Sequence, residues 1–182
     1  MENTSDNEIL NLFNIESEKN RAFSMLVNKY SKILYSQIRK ILILHEDTND
    51  VLQETFIKIY NNLHNFRGES KLATWLYRIA TNQAISYLKI QKRTHVFSAI
   101  SYEDSLTGKL YSDEYFDGDE LQLKLQKAVL KLPTKQRLIF NMKYYDDMKY
   151  EEIAKILNKS VGALKASYHH AVKKIEKYLN ED

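Results

Sequence analysis

"MKYEEIAKILNKSVGALKASYHHAV", residues 148–172, holds two short helical patterns joined by a tight turn. In the first, Ile153, Ala154 and Leu157 fall on one side, and Ala154 is small, as a close helix crossing requires. Asn158 and Lys159 turn the chain. Ser160 is placed to cap the next helix by accepting from a backbone N–H of its first turn. That helix puts Val161, Leu164, Tyr168, Ala171 and Ile175 inward, at steps of three and four. Ser160, Lys165, Ser167, His169, His170, Lys173 and Lys174 stay outside. This is the form of a helix-turn-helix. In such motifs the second helix lies in the major groove of DNA with its N-terminal residues toward base edges. Lysines farther along sit near phosphates. The blander reading is a basic amphipathic helix in a bundle.

Working outward, the chain of 182 residues has one proline and four glycines, which argues for helix throughout. It has no cysteine, so disulfides, thiol chemistry and cysteine zinc sites are excluded. The five histidines lie at 45, 64, 95, 169 and 170, and the adjacent pair would point in different directions on a helix, so no metal is expected. There is no long apolar span and no basic-then-apolar leader, which reads as a cytoplasmic protein without membrane insertion. The net charge of +3 conceals blocks: −2 over residues 1–65, +5 over 66–93, −6 over 94–120 and +6 over 121–182. Two basic blocks about an acidic one suggest two nucleic-acid-facing units on a tether.

Residues 19–44 carry Phe23, Leu26, Val27, Tyr30, Ile33, Leu34, Ile38 and Ile41 at helical spacing. "HEDTND" (45–50) reads as a break. A second helix is expected from about 49 to 63, with Leu52, Phe56, Ile59 and Leu63 inward. Asp50, Gln53, Glu54, Ile57 and Asn61 are left outside, and an outward isoleucine among polar groups suggests a partner surface. A third helix, about 70 to 93, buries Leu72, Trp75, Leu76, Ile79, Gln83 and Tyr87. Its outward residues are Arg78, Asn82, Ser86, Lys89 and Arg93, a basic stripe with amide and hydroxyl groups in the middle. Such a stripe suits phosphate anchoring with some base contact. Residues 94–120 lose periodicity and read as a flexible acidic linker, and 121–182 as four short helices. The fold class expected is all-α: two small helical domains, 1–93 and 121–182, the second with the helix-turn-helix.

"DVLQETFIKIYNNLHNFRGESKLATWLYRIATNQAISYLKIQKR" (50–93) resembles the promoter-melting domain of sigma-70-family transcription initiation factors. "LPTKQRLIFNMKYYDDMKYEEIAKILNKSVGALKASYHHAVKKI" (132–175) resembles the C-terminal DNA-binding domain of the same family. The order of the two, with no middle domain, is similar to the extracytoplasmic-function group. The resemblance implies that Asp50, Gln53 and Glu54 help bind core RNA polymerase, with Ile57 and Asn61 on the same face. It implies that Asn82 and Ser86 read the −10 element, with Arg78, Lys89 and Arg93 alongside. It also implies that "NFRGES" (65–70) captures an extruded base, with Phe66 lining the pocket and Arg67 beside it. Trp75 reads instead as a core residue, because it falls on the inward stripe. The outer residues of the last helix would meet the −35 element. Family members often carry arginine at the positions of Ser167 and His170, and this chain does not, which implies fewer obligatory guanines. Partners implied are core polymerase, promoter DNA and an anti-sigma factor.

No phosphate-binding glycine motif, metal-ligand cluster or nucleophile–base set occurs in the sequence, so neither cofactor nor enzymatic activity is expected. A stand-alone helix-turn-helix regulator would explain the second half alone and leave the melting motifs unused. A protein-interaction bundle or anti-sigma-like decoy would leave both basic stripes unexplained.

Overall fold

The computed structural model describes residues 5–95 and 120–180. Most of the expected linker therefore lies outside the described residues. The described residues form α1 (Asp6–Phe13), α2 (Lys19–Leu42), α3 (His45–Asn62), α4 (Leu72–His95), α5 (Glu120–Leu130), α6 (Thr134–Phe140), α7 (Tyr150–Leu157) and α8 (Val161–Asn180). A π-helical turn, Asn141–Tyr145, runs on from α6.

In the first unit, α2, α3 and α4 pack against one another. Leu26, Leu34, Ile38, Leu42, Ile59, Leu76, Ala80, Ala84 and Leu88 fill the space between them. Each such aliphatic chain larger than alanine contributes about 1.5–3 kcal/mol on burial. The expected stripes need turning slightly. On α2 the buried line is Leu26, Tyr30, Leu34, Ile38 and Ile41, and Ile33 lies beyond its edge, 44% exposed. On α4 the alanines 80 and 84 take the centre, while Trp75, Ile79, Gln83 and Tyr87 are half-buried at its margins.

"HEDTND" is not a break. It is the first turn of α3, where Glu46 and Asp47 complement the helix dipole and buried Thr48 donates to the Leu44 carbonyl at 2.6 Å. The break is only Ile43–Leu44, and Ile43 takes φ +74° there. Ahead of these helices, α1 is capped by Ser5, which accepts from the Glu8 N–H at 3.1 Å. Ile9 and Phe13 anchor it in the core, and Lys29 and Tyr30 of α2 both donate to Asp6 at 2.7 Å.

In the second unit, Val129, Leu132, Phe140, Ala171 and Ile175 pack together, and Ile139, Met142, Ile153, Ile156 and Leu164 form an adjoining cluster. The helix-turn-helix is α7–α8. Asn158 closes α7 in the left-handed conformation at φ +51°, and the Ala163 N–H donates to the Ser160 hydroxyl at 3.3 Å, as a cap should. Of the α7 residues expected inward, Ile153 is buried while Ala154 and Leu157 are half-buried, and Ile156 joins the core. The last helix, α8, is long rather than short, at 20 residues.

The two units are packed against each other. α7 lies on α4, and Leu130 and Leu138 join the core of the first unit.

Candidate nucleic-acid and polymerase interfaces

Three surfaces gather the residues singled out in the sequence. On α3, Asp50, Gln53, Glu54, Ile57 and Asn61 are all exposed, and Ile57 is half uncovered. Beside Ile57 lies an apolar hollow of about 330 Å³ walled by Phe23, Val27, Phe56 and Tyr60. Its rings are fixed edge-on, with Phe23 and Tyr60 centroids 4.9 Å apart. The hollow was missed in the sequence. Phe23 and Val27 belong to a different helix from Ile57, so no spacing along α3 reveals them.

On α4, Arg78, Asn82, Ser86, Lys89 and Arg93 are all exposed, as their steps require for a row opposite the buried alanines. The row is held in register with α3 by two hydrogen bonds. Tyr87 donates to Asp47 at 2.7 Å, and Lys58 donates to Gln83 at 3.0 Å. Burial first, and then this bond to Asp47, push the Tyr87 phenol up to about 12.

At the N-terminal end of α4, the loop 65–70 turns at Gly68, whose φ of +72° suits glycine. The loop folds over a cavity of about 450 Å³, walled by Phe66, Arg67, Trp75 and Arg78, with Lys155 of α7 closing one side. Phe66 and Trp75 meet edge-on at 5.7 Å. Trp75 is thus not simply a core residue. It packs on the core with part of its ring and lines the cavity with the rest. Two aromatic rings, three cations and the Glu69 carboxylate line a chamber with room for a flat group of nucleotide size.

On α8, Ser160, Lys165, His169, His170, Lys173 and Lys174 are exposed. Lys165 lies 5.8 Å from the centroid of the Tyr150 ring, and Lys174 donates to Gln136 at 3.1 Å. Ser167 differs from the expectation. It is half-buried and faces a cleft of about 180 Å³ with Lys159, Ala163, Leu138 and Ile85 of α4. The reason is that the first unit covers this edge of α8. Among the described residues, no group of three or more His, Asp or Glu side chains is placed to hold a metal ion.

The family profile described as "Sigma-70 region 2" matches residues 26–94, and that described as "Sigma-70, region 4" matches residues 122–175. The chain is 33% identical over 170 residues to the ECF RNA polymerase sigma factor SigW of Bacillus subtilis, covering 88% of this chain and 90% of that protein. It is 31% identical over 175 residues to the RNA polymerase sigma-H factor of Pseudomonas aeruginosa, covering 87% and 86%. Its fold is similar to that of the sigma factor RpoE solved in complex with the anti-sigma factor NepR from Bartonella quintana. The TM-score is 0.66 at 21% identity, over 88% of this chain and 98% of that one.

Proposed function

The chain belongs to the sigma-70 family, in its extracytoplasmic-function group, and we propose on that basis which of its surfaces does which part of a sigma factor's work. It directs promoter-specific initiation by core RNA polymerase, and sigma factors are initiation factors rather than catalysts. No enzymatic step is assigned to this chain itself. Its place of action is where the polymerase works, the cytoplasm; no helix among the described residues is long and apolar enough to cross a membrane.

The α3 face binds core polymerase. Asp50, Gln53 and Glu54 supply polar contacts, and Ile57 with the neighbouring hollow supplies an apolar anchor. The α4 row lies along the −10 element: Arg78, Lys89 and Arg93 on phosphates, Asn82 and Ser86 on bases. As strands separate, an extruded base enters the chamber behind Phe66 and Arg67. Extrusion costs a few kcal/mol, and stacking on the chamber's rings offsets it. On α8, Lys165, His169 and His170 face the −35 element, with Ser160 and Ser167 at its leading edge and Lys173 and Lys174 on phosphates. The domain division is 1–93 and 121–182. The similarity to a sigma factor solved with an anti-sigma factor supports a regulator of that kind for this chain too.

The observation that carries this reading is the α4 row. Five polar or basic residues are all exposed at steps of four, four, three and four, on a helix whose other side is core. In vitro transcription by core polymerase on a genomic library tests it. Initiation at a defined promoter set only when the chain is added is the expected result. Tight specific binding to duplex DNA by the free chain, with no effect on core polymerase, would favour the stand-alone regulator.

A further inference from the structure

The hollow beside Ile57 depends on a ring that is fixed from outside its own helix. Tyr60, two residues before the end of α3, forms part of the wall. Phe13, the last residue of α1, meets its ring edge-on at 5.7 Å, and Phe23 of α2 does so at 4.9 Å. The Tyr60 hydroxyl donates to Asn20 Oδ1 at 3.2 Å. The Lys19 ammonium lies 5.6 Å from the centroid of the Phe13 ring and 5.6 Å from that of Tyr60, so one cation spans both rings. The Glu16 carboxylate lies 3.6 Å from the same ammonium. Phe13 is buried, and α1 is tied to α2 at its other end by the bonds of Lys29 and Tyr30 to Asp6.

Of these residues only Phe23 and Tyr60 line the hollow, and Phe13, Lys19 and Asn20 stand behind it. All three also lie ahead of residue 26, where the match to sigma-70 region 2 begins. Given the assignment of the α3 face to core polymerase, we propose that Phe13, Lys19 and Asn20 are positioning residues for that contact. They hold the Tyr60 ring as a fixed wall, so the hollow is formed before an apolar side chain of the polymerase enters it. The segment from α1 to the start of α2 thereby belongs to the polymerase-binding apparatus without forming its face.

A half-buried ring near the end of a helix has several staggered rotamers open to it unless its neighbours exclude them. Each contact here removes a different freedom. The hydroxyl bond fixes the tip of the ring, the two edge-on rings fix its tilt, and the shared cation ties Phe13 to Tyr60. Ordering a side chain on binding lowers affinity, and a wall that is already ordered avoids that loss. The plainer role for these contacts is to close the core of the first unit. Phe13 does belong to that core. Lys19, however, is half-buried and Asn20 exposed, so neither fills it. A cation and an amide directed at one ring on the rim of a hollow suit positioning better than packing.

Lys19→Met keeps the length of the side chain and removes the cation, and Asn20→Ala removes the acceptor of the Tyr60 hydroxyl. Neither residue is in the core, so the melting temperature of the full-length chain should be unchanged. Each variant should weaken association with core polymerase by about two- to tenfold, the size of one aromatic or cation–π contact. Lys19→Arg, which keeps a cation over both rings, should bind as wild type does. A double-mutant cycle identifies the route. Ile57→Ala removes the anchor at the hollow directly, and in that background Lys19→Met should weaken binding little further. Full additivity, or wild-type affinity in both Lys19→Met and Asn20→Ala, overturns the proposal. Methyl NMR spectra of the free chain read the wall without polymerase. Lys19→Met and Asn20→Ala should shift the Val27 and Ile57 methyl signals, because those side chains share the hollow with the Tyr60 ring. Unmoved signals in both variants also overturn it. Wild-type affinity in Ile57→Ala would instead sink the assignment of the hollow to polymerase, and with it the binding role, while the methyl shifts would still show whether these residues set the wall.

Discussion

Replacing Phe66 by alanine should impair strand separation while sparing polymerase binding. The ring is half-buried and meets Trp75 edge-on at 5.7 Å, and the two rings wall the same chamber. Two contributions go with it. The ring pair itself is worth about 0.5–1.5 kcal/mol, which steadies the loop 65–70. A base stacked on an aromatic ring gains about 1–3 kcal/mol, against a few kcal/mol to extrude it. Losing the stacking share moves the closed-to-open promoter equilibrium by about 5- to 150-fold. The α3 face is untouched, so co-purification with core polymerase should be unchanged. Trp75→Ala should be worse in a second respect, because Trp75 also packs on the core, and its melting temperature should fall as well. Permanganate reactivity of unpaired thymines reads the open fraction. Wild-type reactivity in Phe66→Ala holoenzyme would show that the chamber does not hold the base.

Asp50→Lys with Glu54→Lys should weaken association with core polymerase at an unchanged melting temperature, because both side chains are exposed; full retention of core in a pull-down would remove the α3 face from the interface. Ser167→Arg should bring discrimination for a guanine at one −35 position, worth about 1–3 kcal/mol. The same arginine is too large for the cleft beside Ile85, so it should also loosen the packing of α8 on α4; identical −35 preferences from a randomised library would mean that residue 167 does not face bases. Burial lifts the Tyr77 phenol to about 12, helped by the Asp146 carboxylate, and burial lifts Tyr145 to about 12 as well. The unfolded chain ionises its tyrosines near 10, so between about pH 10 and 12 the folded state binds more protons. This contribution is complete below pH 10 and is lost as pH rises through that window. Thermal melts from pH 9 to 12 should show it, and a midpoint flat to pH 12 would contradict it.

The helical rows were legible because burial on a helix repeats every three or four residues. That periodicity located the exposed rows of α3 and α4, and a hydroxyl residue just ahead of a helical run located the Ser160 cap. It was less secure where the signal was short or shared between elements. The first helix carries its own start signal, Ser5 with Glu8 three residues on, ahead of Ile9 and Phe13. It spans only eight residues, too few for the pattern to stand out. "HEDTND" looked like a loop because acids favour both loops and the first turn of a helix. Trp75 was placed by angle alone, and angle does not show that the loop 65–70 folds back across it. The packing of the second unit on the first could not be read at all. Lys40 and Asp146 are 106 residues apart, and nothing in either neighbourhood marks the other.

Charge alone did not separate a solvated face from a binding face, and ion pairing within the chain adds one distinction. Lys19, Arg21, Lys29, Lys40 and Lys143 each have a carboxylate of this chain within ion-pair distance. Arg78, Lys89, Lys165 and Lys173 have none among the described residues. The first group lies on α1–α2 contacts, on the Lys40–Asp146 pair between the two units and on local turns. The second lies on the α4 row and the outer side of α8. Neutralised cations add little to a distant field, whereas unpaired ones on two helices project a positive potential outward. α4, residues 72–95, contains four Lys or Arg and no acid, so that helix has no internal partner to choose. The cations of the α4 row and of the outer side of α8 are thus among those the chain leaves unneutralised. On the proposed reading, DNA phosphates would supply the opposite charge there, and the counterions released would favour binding.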